Sequence, residues 1–119
     1  MILGIVGSRK RNSLADKRLI ESEIRRLNPS ELVSGGCSLG ADRFAEELSH
    51  EMSIPIKVFR PKLGPKMTYV QAVKAYYERN GRIAEYCDVL VAAVSPERRG
   101  GTEDTIRKAK KLGKNVKII

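Results

Sequence analysis

Tryptophan is absent, histidine occurs once and cysteine twice, and no apolar run approaches the roughly 18 residues of a membrane span. His50, alone and in the polar part of a helical stretch, gives neither a Ser-His-Asp triad nor a histidine-based metal site anything to build on. Cys37 and Cys87 have no CxxC or Cys/His spacing around them, so neither a disulfide framework nor a zinc site is signalled and a reducing, cytoplasmic setting is expected. The N-terminal MILGIVGSRK holds only a few consecutive apolar residues, so a soluble, unprocessed chain without membrane contact is expected. A length of 119 residues suits one domain, 1–119, whose core needs no crosslink or metal, and no cofactor is signalled.

What is abundant is positive charge: 23 Lys and Arg against 14 Asp and Glu, a net +9. Residues 1–27 hold seven basic against three acidic side chains and residues 97–119 hold eight against three, whereas 28–96 balance at eight each. The excess sits at the two ends of the chain, and its meaning depends on where the fold brings them. An anionic partner and a solvated basic surface are both open on charge alone.

Ile2–Val6 reads as a short strand stopped by Gly7-Ser8. Leu14, Ile20, Ile24 and Leu27 recur at mainly helical spacing, with Asn12 or Ser13 as N-cap and Asn28-Pro29 as the stop. Leu32–Ser34 is a second strand, 41–52 a helix with Phe44, Leu48 and Met52 on one face, and Ile56–Phe59 a third strand after Pro55. RPKLGPK, 60–66, is a loop, and a helical segment then covers much of Tyr69–Tyr86, with Gly81 a point of interruption. Asp88–Val94 is nearly all apolar, as in a central strand buried on both faces. Thr102–Leu112 is a basic amphipathic helix capped by Gly113, and Asn115–Ile119 is the last strand. Alternating strands and helices predict a Rossmann-like α/β fold: an open parallel five-stranded sheet, order 3-2-1-4-5, with helices on both faces.

In such a sheet ligands bind beyond the carboxyl ends of the strands, where the strand order reverses. That crevice would lie between strands one and four, whose loops GSRKRNS and SPERRGGT would bring Arg9, Lys10, Arg11, Arg98 and Arg99 together beside helix N-termini suited to an anion. The glycines of LVSGGCSLGAD, 32–42, are then expected to let the backbone approach that anion. Asp42 suits either the helix dipole or a ribose hydroxyl, and Thr102 either an N-cap or a phosphate donor; Glu103 and Asp104 favour the dipole. Tyr69, Tyr76, Tyr77 and Tyr86 read as core or dimer-face residues, with base stacking by one of them as a second use.

VGSRK, SGGCSLGAD, RNGRIAEYCDVLVA, and RGGT followed by a helix with AKKLGKNV together resemble the SLOG superfamily, the nucleotide-binding fold shared by DprA/Smf and LOG proteins. Nearest is the small stand-alone YspA-like group, and the resemblance covers nearly the whole chain. It implies a nucleotide or nucleotide-derived ligand held by Gly7, Ser8, Arg9, Gly35, Gly36, Gly40, Asp42, Arg79, Asn80, Gly101 and Thr102. Arg79 and Asn80 come from the resemblance alone, because spacing by itself makes them a solvated helix end. Self-association is a further implication.

Departures from the family pattern weigh between activities. LOG phosphoribohydrolases carry GGxGTxxE with a catalytic glutamate, whereas the third residue after Thr102 is Thr105, and Glu103 and Asp104 stand elsewhere on the helix. DprA carries further sequence than these 119 residues. The expectation is a binding or sensing module for a nucleotide, with no catalytic residue assigned. The alternatives are phosphoribohydrolase-like hydrolysis, with Asp42, Glu103 or Asp104 as acid/base, and DprA-like binding of single-stranded nucleic acid. The scarcity of aromatic residues in the loops weighs against the last.

Overall fold

The computed structural model describes residues 1–119. Strand β1 (Ile2–Gly7) leads to helix α1 (Leu14–Leu27), then β2 (Glu31–Ser34), α2 (Ala41–Glu51), β3 (Ile56–Val58), α3 (Tyr69–Tyr86), β4 (Val89–Ala93), α4 (Gly101–Lys111) and β5 (Asn115–Ile118). All neighbouring strands pair in parallel, in the order β3-β2-β1-β4-β5, so the expected α/β architecture and strand order are observed.

Alternation along the strands divides the core in two. Leu3, Ile5, Leu32, Val91 and Ala93 meet Ile20 and Ile24 of α1 and Phe44 and Leu48 of α2. Val6, Val33, Leu90 and Ala92 meet Ile83 and Ala84 of α3 and Ile106 and Ala109 of α4. Because β1 and β4 are covered on both sides, they read as continuous apolar runs; each fully buried Leu, Ile or Phe contributes roughly 1.5–3 kcal/mol. The expected apolar stripe of α1 is narrower than its sequence, since Leu14 stands 62% exposed. No helix is long and apolar enough to cross a membrane.

The helices start in two different ways. Ser13 and Thr68 close capping boxes with Asp16 and Gln71, which satisfy the first N–H groups of α1 and α3 from within. Helices α2 and α4 begin instead at Gly40 and Gly100, with no side-chain cap. These two uncapped starts, unlike the capped ones, follow the glycine loops of β2 and β4. Gly81 does not interrupt α3: the helix runs unbroken against α4, and a Cβ at that position would meet only Lys108 Cδ, at 3.9 Å.

Candidate functional site

Where the strand order reverses, between β1 and β4, the parallel ladder ends at the pair Gly7 and Ala93, and the chain leaves in opposite directions. A crevice of about 630 Å³ opens there, a volume suited to a small molecule. Its floor is Val6 and Gly7, and its sides are loop residues 8–10, 35–37 and 99–100, the start of α4 at Gly101 and Thr102, and one face of α3. Ten of the residues singled out from the sequence line it: Gly7, Ser8, Arg9, Gly35, Gly36, Asp42, Arg79, Asn80, Gly101 and Thr102. Gly40 does not. Its N–H donates to Asn12 Oδ1 at 2.8 Å, and its φ of +72° and the Ser8 carbonyl 2.8 Å from where a Cβ would sit make it a packing glycine between two loops.

The loop after β2 is filled by the protein itself. Arg79, on α3, donates through Nη1 to the Gly35 carbonyl and through Nε to Asn80 Oδ1, and a Cβ on Gly35 would lie 2.5 Å from Nη1. Arg60 takes the Gly36 carbonyl at 2.9 Å. Asp42 accepts the Cys37 N–H at 3.0 Å. Gly35 and Gly36 line the crevice, and they also serve the protein's own packing: the Arg79 guanidinium lies on Gly35, and the carboxylate beside it is Asp42. Burial pushes the Asp42 carboxyl above its ordinary range, against the Cys37 N–H and the Arg79 guanidinium, which pull it down. Burial likewise lowers Arg79, with Asp42 opposing.

The basic ring expected around the crevice is smaller than its sequence suggested. Arg11 turns to Asp16 at 2.7 Å and to the Val94 and Ile119 carbonyls, so it ties loop 7–12 to the end of β5. Arg98 forms a two-pronged pair with Glu103, at 2.8 and 3.0 Å. Lys10 lines the crevice but meets Glu97 at 2.9 Å. Arg9 and Arg99 are the lining cations left with no carboxylate within ion-pair distance apart from Arg79, which packs beside Asp42.

The acidic residues of α4 separate in the same way. Asp104 points away from the crevice to Asn80 Nδ2 at 3.1 Å and Lys108 Nζ at 2.8 Å, which makes it a bracket between α3 and α4. Asn80 is equally committed, since it also donates to the Gly101 carbonyl at 3.3 Å. Glu103 lines the crevice. Thr102 is not the N-cap, a position held by Gly100, and its side of the helix start opens to the crevice.

One wall is only partly legible in the sequence, which offers Arg79, Asn80 and a single stacking tyrosine. Tyr69, Val73, Tyr76, Asn80 and Ile83 recur at intervals of four, three, four and three on α3, and with Tyr77 they form the side of the crevice. Tyr76 lies beneath the Arg79 guanidinium, 5.5 Å from its ring centre, and Tyr69 is 84% exposed at the rim. Of the four tyrosines Tyr86 turns inward, donating to Glu31 at 2.7 Å and packing edge-on against Phe59. The spacing was the available signal, but an amphipathic stripe does not distinguish a core from a ligand wall. No family model, no curated protein and no solved structure matches the chain.

Proposed function

We propose that this crevice binds a nucleotide or nucleotide-derived small molecule, in a protein that acts as a cytoplasmic binding or sensing module. The observation that carries the proposal is one cavity combining two uncompensated arginines, Arg9 and Arg99, and the uncapped start of α4 with a tyrosine-bearing helix face. Free N–H groups and the helix dipole favour a phosphate, and Ser8 and Thr102 add hydroxyl donors. Tyrosine rings offer a face to a base, and the Asp42 carboxylate offers an acceptor to a ribose hydroxyl. The SLOG resemblance of the loop sequences supports the same reading and adds self-association to it.

A thermal-shift panel against AMP, ADP, ATP, NAD, ADP-ribose and a short single-stranded DNA tests this, with Arg9→Ala alongside. A ligand at about a hundred times its Kd adds roughly 2.7 kcal/mol, several degrees for a domain of this size. The expected result is a salt-tolerant rise with one nucleotide, lost in Arg9→Ala, after which that nucleotide is assayed for hydrolysis. A rise with DNA alone, disappearing as salt increases, would replace the small ligand by a nucleic acid.

A further inference from the structure

Glu97 is the one carboxylate between β4 and α4, and it reaches across to the loop of the neighbouring strand, where its Oε1 accepts from Lys10 Nζ at 2.9 Å. Lys10 lines the crevice, so this contact removes a positive charge from a wall that would otherwise present it to a ligand. Lys10, the Glu97 N–H and the Ser95 hydroxyl together hold the Glu97 carboxyl down at about 2, so the side chain is an anion throughout the physiological range. Both partners are exposed, and an ion pair of that kind contributes little to folding. Its consequence is therefore electrostatic and local.

The remaining charges of the crevice are already matched: Glu103 by Arg98, and Asp42 by the neighbouring Arg79. Two lining cations, Arg9 and Arg99, remain for the ligand. A single phosphate monoester, at about −1.5 to −2 near pH 7, balances two. We propose that Glu97 determines specificity in this crevice: by occupying Lys10 it limits the cationic surface to one phosphate and works against a second or third. The inference rests on the nucleotide reading of the site and adds to it the charge of the ligand and the residue that sets it.

The test is calorimetric titration with AMP, ADP and ATP, without divalent cations, of four proteins: the unsubstituted chain, Glu97→Gln, Glu97→Gln with Lys10→Ala, and Glu21→Gln. Glu21 pairs with Arg25 on α1, so its substitution changes the total charge equally but at a distance from the crevice. The unsubstituted protein should bind AMP at least as tightly as ATP. Glu97→Gln should move the ATP-to-AMP affinity ratio roughly fivefold towards ATP, about 1 kcal/mol. Adding Lys10→Ala should reverse that change, and Glu21→Gln should not produce it. Tighter binding of ATP by the unsubstituted protein, an unchanged ratio in Glu97→Gln, or the same change in Glu21→Gln would overturn the role of Glu97 while leaving nucleotide binding intact. Absence of nucleotide binding in all four proteins would overturn both.

Discussion

Gly40 and Gly113 hold nearly the same positive φ, +72° and +75°, but their surroundings differ. A Cβ at Gly113 meets nothing within 4 Å, whereas at Gly40 it would lie 2.8 Å from the Ser8 carbonyl. Gly113→Ala should therefore cost only backbone strain, roughly 1–2 kcal/mol, while Gly40→Ala should add an overpacking cost of about 1–3 kcal/mol. Equal losses in urea denaturation would refute the packing role given to Gly40. Asp42 supplies a second residue-scale test. Its folded carboxyl titrates above the unfolded value of 3.8 because burial disfavours the charge. The folded state then binds more protons than the unfolded one between those two pH values, so this group's stabilisation is complete below 3.8 and is lost as pH rises through the folded value. Asp42→Asn keeps an acceptor for the Cys37 N–H without the titration, so relative to the unsubstituted protein it should be more favourable at pH 7 than at pH 3.5. A difference independent of pH would show that burial does not govern Asp42.

At the scale of elements, α3 carries two duties: its Ile83 and Ala84 side packs on the sheet, and its Tyr69–Tyr76 side forms the crevice wall. Gly81 lies in its interior, where a Cβ would meet only Lys108 Cδ, at an unstrained 3.9 Å. Glycine there sacrifices backbone entropy for no contact, so Gly81→Ala should raise stability by about 0.5–1 kcal/mol, read as a higher urea midpoint with an unchanged slope. A loss of stability would mean that the α3–α4 contact requires the absence of a Cβ at this position. The uncapped start of α4 has the opposite logic: Asn80 fixes the Gly101 carbonyl, and the N–H end stays directed to the crevice.

At the scale of the whole molecule, a net charge of +9 does not form a continuous track. Helices α1 and α4 carry a net +1 and +2 of it and cover opposite faces of the sheet. Several of the loop cations are tied to carboxylates: Lys10, Arg11 and Arg98. Two free arginines imply a shallow salt dependence. If a single strand occupied only these, log K should fall with log salt at a slope of roughly −1.4, whereas a strand wrapping the basic surface would give a much steeper one. Titrating the DNA complex, should one form, at several salt concentrations distinguishes the two.

The order and type of the elements, the reversal of strand order between β1 and β4, and the loops that meet there were all legible along the chain. Each of these follows from local chemistry: apolar runs, glycine and proline punctuation, and the need of parallel strands for crossover helices. Gly7, Ser8 and Arg9 were legible as lining residues because they stand at the carboxyl end of a strand. The packing of the fold decided which charges are spent, since the partners of Arg11, Arg79 and Lys10 are distant in sequence or on other elements. It also decided that Gly35 accommodates a guanidinium, that Asn80 and Asp104 form a bracket, and that the tyrosines of α3 face a cavity. Periodicity gives a residue its side of a helix, but what that side meets depends on packing between elements far apart along the chain.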